Sequence, residues 1–301
     1  MNQISTDLFW ILLTYSANPF STAQSLPHPN FKLIPSELGI DHFDEIWKQT
    51  RAYSLLDIHR THQIWKLMHE VETQPGDIIE CGSHRGGLSF FIALYIQEKK
   101  INKKVFLCDS FQGLPKPSDK DSFFTEGMFN ANLEQCKQLR THFNLDSIIE
   151  IVPGWFEETL PKLTKNKNQK FCLVHLDADL YESTETILEY IYPKAINNTP
   201  FIVDDYLIPS SGVRLACWKQ LDQTKETLEQ GPCSQAYFRK GKTYDTPFTH
   251  KDPEGNLLSF KDLRMNSFYQ KHLKRVLSDI ENHRQTLISF YKAINDLPLE
   301  N

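Results

Sequence analysis

Two apolar runs in this chain end abruptly in acids. Val174-His175-Leu176 leads into Asp177-Ala178-Asp179, and Phe201-Ile202-Val203 leads into Asp204-Asp205-Tyr206. If both runs are strands of one sheet, four carboxylates gather at the same sheet edge. Such a cluster repels itself unless a cation or a proton intervenes. Oxygen ligands favour a hard divalent ion, Mg²⁺, Mn²⁺ or Ca²⁺. Coordination to such an ion lowers the pKa of a sugar or alcohol hydroxyl, and a vicinal diol could chelate it through two oxygens. A carboxylate left outside the ligand set could then take the proton. One or two of the acids could instead cap the turns that follow them, but four caps together fit the pattern poorly. His175, inside its strand run, reads as a packed, hydrogen-bonded core residue.

A second constellation lies upstream. Asp77-Ile-Ile-Glu80-Cys-Gly82-Ser-His-Arg-Gly86-Gly87 places glycines between a strand run and a helical run. Glycine lets backbone turn tightly beside a ligand, and the next helix start offers free N–H groups. The spacing departs from the dinucleotide fingerprint G-x-G-x-x-G, and no Gly-Lys-Ser/Thr follows. Glu80, just before the loop, suits a cationic or hydroxylated ligand better than a pyrophosphate. S-adenosylmethionine is such a ligand, with an ammonium, a sulfonium and no phosphate. The next strand run ends in Cys108-Asp109-Ser110, where an acid can accept hydrogen bonds from ribose hydroxyls.

These residues need a scaffold that brings strand ends together. Strand runs at Asp77–Cys81, Val105–Cys108, Ile148–Val152, Phe171–Leu176 and Pro200–Val203 alternate with helical runs at Gly86–Lys99, Ala131–Phe143, Ser183–Tyr192 and Gly212–Leu228. Ser234–Lys240 reads as one last strand. Repeated βα units predict an α/β fold with a mostly parallel, doubly wound sheet, which binds ligands at the carboxyl ends of its strands. Helical periodicity also runs from Ile46 to Glu72, ended by Pro75-Gly76. Residues 1–75 therefore read as an N-terminal arm and helical lid, 76–242 as the core, and 243–301 as a C-terminal extension. In that extension Leu263–Asn295 reads as one long helix with a heptad-like seam, packed on its own domain or on a second copy in a homo-dimer.

The chain has 301 residues and a formal net charge of -5, so no basic field draws it to nucleic acid or anionic lipid. No apolar run approaches the ~18 residues of a membrane span, and the apolar stretch near the N-terminus lacks the basic cluster of a secretory signal. Six cysteines without a CxxC pair argue against a zinc or redox motif and for reduced thiols in the cytoplasm.

Taken in order, Pro75-Gly76-Asp77, Glu80-Cys-Gly82, Arg85-Gly86-Gly87, Asp109-Ser110-Phe111-Gln112-Gly113-Leu114-Pro115, Gly154-Trp155-Phe156, His175-Leu-Asp177-Ala-Asp179-Leu-Tyr181 and Asp204-Asp205-Tyr206 resemble the macrocin O-methyltransferase family. The family includes the mycinamicin and novobiocin sugar methyltransferases. The resemblance runs from about Arg51 to Lys240 and implies a Rossmann-like class I methyltransferase. It implies S-adenosylmethionine as donor, Mg²⁺ as metal, and a small-molecule or glycan acceptor with vicinal hydroxyls. Asp177, Asp204 and Asp205 would bind the metal and Asp179 would be the general base. Glu80, Gly82, Gly86, Asp109 and Ser110 would belong to the donor site, and the Gly154-Trp155-Phe156 turn would lie near the adenine. Two other readings compete. The glycine spacing and the acidic cluster both argue against a nicotinamide-dependent oxidoreductase. The retained acids argue against a non-catalytic binding protein on the same fold.

Overall fold

The computed structural model describes residues 42–243 apart from 122–123, 207 and 209–211, and gives no side-chain description of Gln230. Most of the N-terminal arm and the long C-terminal helix fall outside the described residues. Two helices come first, α1 (Phe43–Thr50) and α2 (Ile58–Val71), joined through a 3₁₀ turn at Arg51–Tyr53. The single helical stretch expected from Ile46 is thus broken in two. Asp57 accounts for the restart, because its carboxylate accepts from the His59 and Arg60 amides and caps α2.

The core then alternates β1 (Asp77–Cys81), α3 (Gly87–Lys99), β2 (Val105–Asp109), α4 (Leu133–His142), β3 (Ile149–Pro153), α5 (Phe156–Thr164), β4 (Phe171–Leu176), α6 (Tyr181–Ile191), β5 (Pro200–Val203) and α7 (Val213–Thr224). Two further strands close it, β6 (Glu226–Gln230) and β7 (Ala236–Thr243). The sheet order is β3-β2-β1-β4-β5-β7-β6. β7 runs antiparallel to both its neighbours and the other pairings are parallel. Strand β6 corrects the expectation that one helix reaches Leu228. Lys225 takes a left-handed conformation (φ 61°) and ends α7 at Thr224.

Alternate strand residues feed two apolar layers, as a two-residue period requires. Ile78, Val105, Leu107, Leu173 and Ile202 meet α2 and α3 through Trp65, Met68, Phe90 and Phe91. Ile79, Phe106, Val174, Leu176, Phe201 and Val203 meet α5, α6 and α7 through Leu160, Ile187, Cys217 and Leu221. The order of the parallel strands reverses between β1 and β4, so connections leave these neighbours in opposite directions and open a crevice at their carboxyl ends. No helix among the described residues is long and apolar enough to cross a membrane.

Candidate active site

The crevice is a single cavity with about 1130 Å³ of open space including its mouth. Its walls come from the ends of β1 (Gly82, His84), β2 (Asp109, Ser110), β3 (Gly154, Trp155) and β4 (Asp177, Asp179), with Asp205 after β5, Leu55 and Leu56 from the approach to α2 and Arg60 from its first turn. Gly82 forms the closest backbone crossing. Its φ is +92°, and a Cβ there would lie 1.7 Å from the Asp177 carbonyl oxygen. Gly82→Ala should cost about 2–4 kcal/mol, combining left-handed strain with backbone collision. A melting curve should show the lower stability, and, if this loop borders the expected S-adenosylmethionine, a titration with S-adenosylhomocysteine, the demethylated donor, should show at least tenfold weaker binding.

Asp109 braces the other side of this loop. One carboxylate oxygen accepts from the His84 amide and the other from the Phe111 amide, each at 2.7 Å. Burial pushes its pKa up to about 6, against the pull of these backbone donors. The Ser83 amide also contributes to that pull, and of the carboxylate's roughly four acceptor positions at least one is left to receive a ribose hydroxyl. Ser110 lies beside it and donates to the Gly113 carbonyl at 2.8 Å. If Asp109 receives the ribose, S-adenosylhomocysteine should bind about tenfold more weakly one pH unit below 6, where the carboxyl is protonated. Calorimetry between pH 5 and 8 checks this, and Asp109→Asn should flatten the profile.

The strand-end acids form two overlapping clusters. Ligand atoms of Asp177, Asp179 and Asp205 lie within 4.8 Å of one another, and so do those of His175, Asp177 and Asp204. Asp179 (φ 59°) and Asp205 (φ 55°) both sit on left-handed backbone, a conformation aspartate tolerates better than most residues. Burial raises the pKa of Asp177, and Asp204 and Asp205 raise it further. Burial followed by Asp205 and Asp177 does the same to Asp179. Burial and Asp204 raise Asp205.

Asp204 is the exception. Burial works against its ionisation, but Arg60 and His175 outweigh that and hold its pKa at about 2. His175 Nε2 lies 2.8 Å from Asp204 Oδ2, Gln235 donates to the same oxygen at 3.2 Å, and Arg60 donates to Oδ1 at 3.2 Å. The His175 pKa rises to about 10, its burial outweighed by Asp204 and Glu80. The arrangement follows from register. Glu80 lies opposite His175, and His175 opposite Ile202, so Glu80, His175 and Asp204 step across three strands on the sheet face that α2 and α3 cover. Glu80 accepts from Ser89 of α3 and its Oε1 stands 3.6 Å from His175 Nδ1.

Of the residues expected around the donor, the cavity wall contains Gly82, Asp109 and Ser110. Glu80, 1% exposed, and Gly86, the N-cap of α3, stand behind it. Of the four acids, Asp177, Asp179 and Asp205 face the cavity, and Asp204, 1% exposed, backs them. Sequence reasoning missed Arg60, Gln235 and Asp121. Asp121 is fully buried and accepts from the Tyr181 and Gly212 amides, pinning the β2–α4 connection to the lead-ins of α6 and α7. The signal for Arg60 was present, since it lies four residues before Ile64 on the stripe that continues to Met68 and Val71.

A sequence model of the family described as macrocin-O-methyltransferase (TylF) matches residues 38–240. The chain belongs to the macrocin-O-methyltransferase family. Within the family, a tetracenomycin-C rhamnosyl 4'-O-methyltransferase from Streptomyces olivaceus is 33% identical over 169 residues, covering 52% of this chain and 64% of that one. Mycinamicin III 3''-O-methyltransferase from Micromonospora griseorubida is 29% identical over 178 residues, covering 54% and 68%. The chain thus spans less than two thirds of the first relative. Among solved structures, the O-methyltransferase NovP superposes with a TM-score of 0.59 at 21% identity, covering 80% of this chain and 99% of that one. The calicheamicin methyltransferase CalS11 follows at 0.57 and 23%, covering 76% and 91%. At these identities the superpositions establish the class I methyltransferase fold. The family match contains every strand-end acid and the glycine loop.

Proposed function

We propose that this chain transfers the methyl group of S-adenosylmethionine to a hydroxyl of a sugar, on a glycoside or a polysaccharide precursor, with help from a hard divalent cation. The observation that carries this reading is convergence. The Asp109–Ser110 corner, the Gly82 crossing and the acids Asp177, Asp179 and Asp205 all border one cavity. The names of the relatives, which methylate sugars of tetracenomycin and mycinamicin, support the acceptor class.

The residues fit both groups. Three carboxylates on one wall with an ionised fourth behind them make a hard oxygen donor set, which suits Mg²⁺. We assign Asp177, Asp204 and Asp205 to hold it. His175 stays outside this set, because its Nε2 is committed to Asp204 Oδ2 at 2.8 Å. The bound ion would supply a Lewis acid for the acceptor hydroxyl.

The chain's own groups do the rest. Asp109 and Ser110 seat the donor's ribose, and Gly82 lets the loop after β1 cross close to the Asp177 backbone at the cavity wall. Asp179, two residues beyond Asp177 and on the same wall, accepts the hydroxyl proton as the oxygen attacks the donor's methyl carbon. Burial and its acidic neighbours raise its pKa in the metal-free cavity, so it must give up that proton before it can serve as the base. The cavity aligns oxygen and methyl group. Five of the six cysteines are buried and none is paired, which supports a reducing compartment such as the cytoplasm.

The test is turnover. The protein is incubated with S-adenosylmethionine, Mg²⁺ and a panel of nucleotide-linked and glycosidic deoxysugars, and products are read by mass spectrometry. A gain of one methyl group that chelation abolishes is the expected result. Binding of NAD without any affinity for S-adenosylmethionine would overturn the reading.

A further inference from the structure

Arg60 is 6% exposed, and all arms of its guanidinium are engaged. Nε donates to Asp57 Oδ2 at 2.7 Å, Nη1 to Asp204 Oδ1 at 3.2 Å and Nη2 to the Leu55 carbonyl at 3.2 Å. Two of these partners belong to the lead-in of α2, and the third belongs to the acidic cluster 144 residues away. The start of the lead-in packs on α3. A Cβ on Gly87 would lie 2.4 Å from the Ser54 nitrogen, so residues 53–54 press on the first turn of α3. Leu55 and Leu56, next in the chain, line the cavity.

The hydrogen bonds of Asp204 also decide which of its oxygens a cation can reach. A carboxylate oxygen accepts at about two positions. Oδ2 fills both, with His175 at 2.8 Å and Gln235 at 3.2 Å. Among the described residues Oδ1 receives the Arg60 bond alone, which leaves an acceptor position beside it. Arg60 therefore stands beside the acceptor position that the described residues leave on Asp204, and the same planar fork holds the carbonyl of a cavity-wall residue.

We propose that Arg60 is a positioning residue that presents Asp204 Oδ1 as a single-oxygen ligand and ties it to the Leu55–Leu56 wall, so that metal loading orders that wall of the cavity. The inference rests on the metal reading above. Charge alone does not do this, because the geometry uses three donors in one plane. Lysine retains the charge but not the fork, which makes Arg60→Lys the informative variant.

The probe is Mn²⁺ alone, with binding followed by its electron paramagnetic resonance signal and hydrogen exchange followed on peptides covering residues 53–60. In the wild-type protein Mn²⁺ should slow exchange in that segment several-fold. Arg60→Lys should bind Mn²⁺ about tenfold more weakly and lose that protection, while its S-adenosylhomocysteine affinity stays within about twofold of wild type. Wild-type exchange unchanged by bound Mn²⁺ would overturn the proposal, and this arm decides the matter even if the variant does not fold. Arg60→Lys binding Mn²⁺ like wild type would overturn it as well and leave the metal reading standing. A wild-type protein that binds no Mn²⁺ would sink the metal reading and this inference together.

Discussion

Asp179→Asn should lower the rate of methyl transfer by about 10²–10⁴-fold, the usual contribution of a positioned general base, while leaving the protein folded and both ligands bound. The amide matches the carboxyl in shape, so the left-handed turn at φ 59° survives. The variant loses the ability to accept a proton from the attacking hydroxyl. The effect should fall on kcat, because the residue acts in the transition state rather than in holding either substrate. Steady-state kinetics with a competent acceptor, together with S-adenosylhomocysteine and Mn²⁺ titrations, separate the roles. A variant that loses Mn²⁺ binding would make Asp179 a ligand. That outcome has a geometric precedent here, since its carboxylate lies within 4.8 Å of those of Asp177 and Asp205.

Metal affinity should rise steeply with pH. Burial and mutual repulsion raise the pKa of Asp177, Asp179 and Asp205 above the ordinary 3.8, so protons neutralise part of the cluster before a cation does. The cation must displace them. Each proton released should strengthen binding by about tenfold per pH unit until the group it leaves is already ionised. The stability of the metal-free protein carries the opposite sign. A carboxyl with a raised folded-state pKa binds more protons folded than unfolded, so its contribution falls as pH rises above about 4. Asp204, held at about 2 by Arg60 and His175 against its burial, contributes stability that is lost only as pH falls below about 4, so it does not offset this slope. Mn²⁺ titrations at several pH values in two buffers of different ionisation heat measure the released protons directly. Melting curves with and without metal should diverge as pH rises. Asp205→Asn should reduce both the affinity and the number of protons released.

The parallel core and its strand-end acids were legible because their signals are local. A buried parallel strand must be a short apolar run, and Val174–Leu176 and Phe201–Val203 end where the chain reaches the cavity. The edge of the sheet was harder. Strand β6, Glu-Thr-Leu-Glu-Gln, is rich in helix-forming residues and follows a helix without a glycine between them, so only its pairing with β7 makes it a strand. Arg60 and Gln235 escaped for a related reason. Each is held by a distant partner, Asp204; Gln235 alone on a turn reads as solvated, and Arg60's place on the apolar stripe of α2 marks burial without naming that partner. Glu80 shows how register corrects a motif. Its position before the glycine loop suggested contact with the donor, but it shares a sheet face with Ile78 and so points under α3, to Ser89 and His175. The proposed dimer seam, Leu263–Asn295, lies outside the described residues.

A crystal grown with S-adenosylhomocysteine and Mn²⁺ tests the central claim most directly, through anomalous scattering at the manganese edge. The predicted result is one manganese peak bonded to Asp177, Asp205 and Asp204 Oδ1, with the nucleoside seated on Asp109 in the same cavity. Nucleoside bound there with no manganese among these carboxylates would contradict the metal-assisted mechanism, and a cavity that takes neither would contradict the assignment of this cavity as the site of methyl transfer.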